Sequence, residues 1–310
     1  DTQIISLSDD KINILTSAQV PYISTKAIPQ LTTLQISSFD SNIIQYFTIH
    51  TLLSITTLQI ISLTSRQINN INSYQIANIT TSQIISLLTL QISAINPNTI
   101  PGLTSAGIIS LLTSQVNALT SAEIDAITSK QIYNLQTNIL TSLQIIYITP
   151  NNILSLSTIQ IAAINPNIIS TLLTTQIISL NTAQIYILTT LQILNITTLQ
   201  LLSLLTTQIS SFNPDIIPVL TTRTIRILST AQIFALTSLE INKLISSQVP
   251  FIKTEQISIL KTSQISALNF NIIFSLTTEQ LVALSTSQIS AFTTLGINKL
   301  LSRSQFIGVP

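Results

Sequence analysis

Ile55-Thr56-Thr57-Leu58-Gln59-Ile60-Ile61-Ser62, followed at once by Leu63-Thr64-Ser65-Arg66-Gln67-Ile68, spells one eight-residue unit twice: aliphatic, Thr, Thr or Ser, x, Gln, Ile, x, x. The same unit runs outward to both ends of the 310-residue chain. Its Gln or a stand-in recurs by eights from Gln3 through Lys11, Gln19, Ala27 and Gln35 to Gln131, and after a slip from Gln144 through Asn152 and Gln160 to Gly296. Position one is apolar, as in Leu15, Ile23, Leu31, Phe39, Phe47 and Ile55. Position six is apolar too, as in Val20, Ile28, Ile36, Ile44, Leu52 and Ile60. Regularity at this level is the mark of a repeat array and sets the architecture before any other feature.

Position two is usually Thr, Ser, Asn or Asp, and position five is most often Gln. Thr-x-x-Gln is a capping box: the hydroxyl accepts from the N–H three residues on, and the Gln side chain returns to the N–H of the Thr. The aliphatic residue before the cap and the Ile four residues into the helix form a hydrophobic staple. Each octad therefore encodes a helix start. One continuous helix does not fit, because an eight-residue repeat drifts around a cylinder that turns about 100° per residue. A flat strand does not fit either, since positions one and six would point to opposite faces. A very short helix, broken by a new cap in every octad, brings both onto one side. The expected fold is therefore all-α, a solenoid of very short capped helices, one per repeat. A β-solenoid is the alternative, favoured by the abundance of Ile and Thr. Against it stand the capping box and a total of only four glycines. Two buried aliphatics and one cap do not offset the entropy of ordering eight residues, so a single octad cannot fold without neighbours above and below.

Three irregularities interrupt the pattern. The register loses three residues between Gln131 and Gln144, leaving Leu135-Gln136-Thr137-Asn138-Ile139 as a truncated repeat where a kink is expected. The expected organisation is an octad array over 1–134, the truncated repeat at 135–139, a second array over 140–303 and a tail at 304–310. Asn96-Pro97, Asn165-Pro166 and Asn213-Pro214 place Asn at the cap and Pro at the first helical residue, a strong helix start because Pro has no N–H to leave unpaired; Thr149-Pro150 and Asn269-Phe270 are similar. Leu87-Leu88, Leu111-Leu112, Leu172-Leu173 and Leu204-Leu205 double the aliphatic. The doubling is expected to move the cap to Thr89, Thr113, Thr174 and Thr206, with the extra Leu filling the solenoid axis or meeting a neighbouring chain.

Composition bounds the partners. Hydrophobic residues make up 45% of the chain and charged residues only 7%, against about 25% charged in an ordinary soluble domain. The surface must then be mostly hydroxyl and amide, with little charge repulsion against self-association. The net charge of +1 is scattered singly, leaving no electrostatic footprint for nucleic acid or anionic lipid. No apolar run is long enough to span a membrane. Cys, Met and Trp are absent, which suits long exposure outside a cell. The chain begins at Asp1, inside an octad and without Met, as expected after removal of a leader or for a segment of something longer.

The chemistry-bearing residues are sparse. His50 is the only histidine and has no cysteine or carboxylate cluster beside it in sequence, so metal-ligand spacing is missing. Asp9-Asp10 reads as a pair of first-turn acids favoured by the helix dipole. Glu123 and Glu240 stand at the Gln position and are expected to serve as caps in its place. Asn78-Ile79-Thr80 and Asn195-Ile196-Thr197 match the N-glycosylation sequon, which the octad generates whenever position eight is Asn. Tyr22, Tyr46, Tyr147 and Phe251 fall at position eight, whereas Phe39, Phe47, Phe212 and Phe292 fall at position one as larger core residues. No phosphate-cradling glycine loop or nucleophile-base set is visible. The sequence assigns no catalytic, cofactor-binding or metal-binding residue, and no cofactor or enzymatic activity is expected.

Leu228-Ser-Thr-Ala-Gln-Ile-Phe-Ala235, followed by Leu236-Thr-Ser-Leu-Glu-Ile, and Leu284-Ser-Thr-Ser-Gln-Ile-Ser-Ala291 resemble the Leu-Thr-Thr-x-Gln-Ile-x-Ala arrays of very large bacterial surface and secreted proteins. The resemblance covers nearly the whole chain and implies an extended, adhesin-like or fibre-forming protein at the cell surface or outside the cell. The Leu-Thr-x-x-Gln opening also looks like the start of TAL-effector repeats, but their much longer period and variable base-reading pair are missing here. The expected role is a structural repeat protein that forms a filament, fibre or stalk. Its expected partners are copies of itself, with no nucleic acid and no membrane insertion. A solenoid scaffold for a peptide, a glycan or a surface such as ice is the alternative, with variable positions four, seven and eight lining the groove.

Overall fold

Two extended residues, Leu63 and Thr64, separate the helix Thr57–Ser62 from Ser65–Asn69. Thr56 has φ −70° and ψ 163° and caps the helix Thr57–Ser62; Leu63 has φ −59° and ψ 131°, which ends that helix. Thr64, with φ −71° and ψ 157°, then caps Ser65–Asn69. The Ile60 N–H donates to Thr56 O at 2.9 Å and the Leu63 N–H to Ile60 O at 3.3 Å, so each helix is little more than one turn closed at both ends. The computed structural model describes residues 2–292, where this pattern gives thirty α-helices of four to six residues, seven 3-10 helices and no strand. The fold is the all-α solenoid, and the β-solenoid alternative is excluded for the described residues. Gly296 and the expected 304–310 tail lie outside them.

The chain divides into two compact units, residues 1–156 and 157–310. Within the first unit, helices three octads apart pack side by side, as Thr33–Ser38 does on Thr57–Ser62 and Thr57–Ser62 on Thr81–Ser86. Within the second unit the same spacing pairs Thr174–Ser179 with Thr198–Ser203, and Thr206–Ile209 with Thr230–Ala235. Hydrogen bonds described below reach back 28 and 31 residues. Within each unit a coil therefore closes in between three and four octads, and octads of successive coils are in contact.

The core is the stacked set of positions one and six. Ile55, Ile60, Leu63 and Ile68 in the first unit, and Leu228, Ile233, Leu236 and Ile241 in the second, are all buried. Phe39, Phe47, Phe212 and Phe292 are buried at position one as larger core residues, and Phe39 meets Phe47 edge to face with ring centroids 5.2 Å apart. The truncated repeat forms the 3-10 helix Thr137–Ile139 between buried Leu135 and Leu140, inside the first unit. The boundary between the units falls later, after Leu156.

The doubled leucines correct one expectation. The caps do not move to Thr89, Thr113, Thr174 and Thr206, which are each the first residue of their helix; the N-caps are Leu88, Leu112, Leu173 and Leu205. The Leu88 N–H donates to Gln91 Oε1 at 2.8 Å, so the Gln half of the box suffices without a cap hydroxyl. Each extra Leu stays about half exposed, outside the axis.

Candidate functional site

Position five is where the structure concentrates its polar chemistry. Gln59 is only 3% exposed, although a capping side chain at a helix start is ordinarily solvated. Its Oε1 accepts from the Thr56 N–H at 2.9 Å, and its own N–H donates to Thr56 Oγ1 at 3.2 Å, completing the box. Its Nε2 then donates to Ile28 O at 2.7 Å and to Leu31 O at 2.8 Å, in the coil before. Ile28 O also accepts from the Leu31 N–H at 3.1 Å, whereas Leu31 O lies just past the end of its short helix, where no further helical N–H reaches it. One buried amide thus joins the start of one helix to the end of another about one coil earlier.

The bracket repeats with fixed register. Gln75 donates to Ile44 O and Phe47 O, Gln131 to Ile100 O and Leu103 O, Gln192 to Ile161 O and Ile164 O, and Gln248 to Ile217 O and Leu220 O. Across the truncated repeat the register shortens by three: Gln144 donates to Val116 O and Leu119 O, 28 and 25 residues back. The 3-10 helix absorbs the deletion and the coil-to-coil bonds continue. Asn152, with a shorter side chain, keeps the bond to Ile127 O.

Glu123 and Glu240 hold the same position and are 0% and 1% exposed. Glu123 Oε2 accepts from the Thr120 N–H at 2.6 Å, and Glu240 Oε2 accepts from the Thr237 N–H. The capping role expected of them is present. Their second oxygens, Glu123 Oε1 and Glu240 Oε1, are buried without a hydrogen-bond partner. Burial pushes both carboxyls above their ordinary range, against the Thr N–H and hydroxyl groups that favour the anion.

The other singled-out residues stay apart from this ladder. His50 is exposed on the helix Ile49–Leu53, where its C=O accepts from Ser54 Oγ at 2.7 Å. Asp9 and Asp10 sit in the first turn of Asp9–Asn13. Asn78 and Asn195 each turn Nδ2 back on their own helix, to Tyr74 O and Leu191 O, both at 2.8 Å. Asn96, Asn165 and Asn213 cap their Pro-initiated helices by accepting from the N–H two residues on. Among the described residues no three His, Cys, Asp or Glu side chains gather as metal ligands, and no helix is long and apolar enough to cross a membrane.

The outer surface is unusual in one respect. Position four carries exposed aliphatics, among them Leu34, Leu58, Leu90 and Leu143 in the first unit and Leu191 and Leu199 in the second. Leu58 is 73% exposed. They stand among Thr and Ser with few charges between them. No family model matches the chain, and no curated protein is significantly similar to it.

Proposed function

We propose that this protein is a structural repeat protein of the cell surface or extracellular space that builds a filament, fibre or stalk, by stacking of its coils or by polymerising with copies of itself. The observation that carries this reading is the recurrence of exposed leucines at position four, in each unit, on a surface with little charge. Exposed leucines are apolar contact area open to a partner, and a surface with little charge does little to keep identical copies apart. The interior supports it as well, because its recurrent buried polar group serves coil-to-coil adhesion. Cryo-electron microscopy of the protein from its native source is the test. Continuous filaments with leucine-rich contacts between copies are expected. Discrete monomers that bind a peptide or glycan saturably would replace the filament with the scaffold reading.

A further inference from the structure

Gln59, Gln75, Gln131, Gln192 and Gln248 each use both ends of the amide, one as acceptor and one as a double donor. A glutamate copies the acceptor end but has no hydrogen to give when ionised. Since Oε2 of Glu123 takes the bond to the cap N–H, Oε1 is left at the place of the Gln nitrogen. The register of 31 and 28 residues assigns it the carbonyls of Ile92 and Ile95, and assigns Glu240 Oε1 those of Ile209 and Phe212. An ionised Oε1 would turn negative charge toward carbonyl oxygens in a site closed to water, a costly arrangement. Neighbouring charges offer no relief. The helices Thr89–Ile92, Pro97–Gly102 and Ser142–Ile145 around Glu123 carry no titratable group, and Asp125 and Lys130 nearby are exposed. Around Glu240, the helices Thr206–Ile209 and Thr262–Ser266 carry none. Asp215 on Pro214–Val219 is exposed and bound at 2.7 Å to Lys243, which closes the Glu240 helix, while Lys261 lies over the Phe234 ring. The Phe212 N–H favours the anion weakly and makes no hydrogen bond to Oε1.

A proton fits this site better than a metal cation. In the equivalent brackets the Gln115 nitrogen stands 2.8 Å from both of its carbonyl oxygens, the spacing of an O–H···O bond at about 2.7–2.8 Å. A cation needing about 2.3–2.6 Å to each oxygen would have to force the group apart.

We propose that Glu123 and Glu240 carry a proton on Oε1 and donate it to a carbonyl of the preceding coil, making one pH-sensitive clasp in each unit that opens when the proton leaves. Because the folded state holds the proton more tightly than the unfolded chain, the clasp is complete in acid. Its contribution is lost as pH rises from the ordinary glutamate range through the raised folded value. This is the reverse of ordinary acid denaturation, and it depends on neither reading of the protein's function.

The test compares the intact protein with the Glu123→Gln/Glu240→Gln double variant, which restores the repeat's own residue at both sites and so is expected to fold. Thermal unfolding is followed from about pH 4 to about pH 8. The midpoints should nearly coincide in acid and diverge as pH rises, with the native protein falling below the variant. Both proteins share every other titrating group, which cancels in the difference. A second measurement needs no variant: carboxyl 13C shifts of the glutamates, in which the two buried residues should titrate above exposed Glu279. A midpoint difference independent of pH, or buried carboxyls titrating with the exposed ones, would overturn the proposal.

Discussion

A glutamine with both ends of its amide engaged is more than a helix cap. Read locally, Gln59 satisfies one N–H, and its replacement by Ala would cost about 1 kcal/mol or less. In the structure the same side chain also satisfies two carbonyls of the coil before, and leaving a buried polar group unpaired costs about 1–3 kcal/mol. Ile28 O keeps its bond from the Leu31 N–H, so Gln59→Ala leaves one carbonyl, Leu31 O, unpaired beyond the cap and is expected to lower unfolding free energy by about 2–4 kcal/mol, measured by denaturant titration, whereas a loss of about 1 kcal/mol would reduce the residue to its local role. The demand for an acceptor together with two donors also explains why Gln fills this position in most octads and Glu in only two, Glu123 and Glu240, of the described ones. A capping box alone accepts either residue, so that preference was the signal in the sequence of a second bonding partner.

Each short helix is held by its apolar pair and its two ends. Ile60 and Ile68 are 0% and 2% exposed in adjacent octads, and burying an unpaired carboxylate there is among the few changes that exceed about 4 kcal/mol. Ile60→Asp and Ile68→Asp should abolish cooperative folding around their coils, seen as loss of amide protection; variants that melt like the parent would place the buried stripe wrongly. Gly102 closes the helix Pro97–Gly102, where a Cβ would meet Ser73 O at 2.7 Å. That contact is to backbone of the facing helix Ser73–Asn78, so Gly102→Ala should cost about 1–3 kcal/mol in calorimetry, more than an ordinary exposed substitution. Leu88 behaves oppositely. Its N–H is already capped by Gln91 and its side chain is half exposed, so Leu88→Thr should be neutral or add up to about 1 kcal/mol through a restored cap hydroxyl. If such a variant is stable yet assembles poorly, the doubled leucines act between molecules.

Across the whole molecule, the contrast is between an interior dense in directed hydrogen bonds and a surface with almost no charge. Assembly through exposed Leu and Thr should depend little on screening: raising ionic strength from about 0.01 M to about 1 M contracts the Debye length about tenfold, and light scattering should show undiminished association. A steep loss of association with salt would indicate that the scattered Lys, Arg, Asp and Glu residues direct contacts. Within each unit, coil-to-coil bonds make stability a sum of octad and neighbour terms. Substitutions joined by one amide bracket should therefore couple, and those several coils apart in the same unit should add.

The sequence by itself determined the unit of structure. Thr56, Gln59, Ile60 and Leu63 interact within one octad and its immediate neighbour, so the cap, the helix length, the staple and the buried stripe were all legible from spacing. Local spacing also identified the larger core residues Phe39, Phe47 and Phe212. What only the tertiary structure decided is how many octads close a coil and that the Gln amide faces inward. These depend on contacts 28 and 31 residues away, and an eight-residue periodicity is compatible with many coil sizes. The physical reason is that capping and stapling are satisfied within one short stretch of chain, whereas a carbonyl just past a helix end, such as Leu31 O, finds its donor only when the Gln amide of the next coil reaches it.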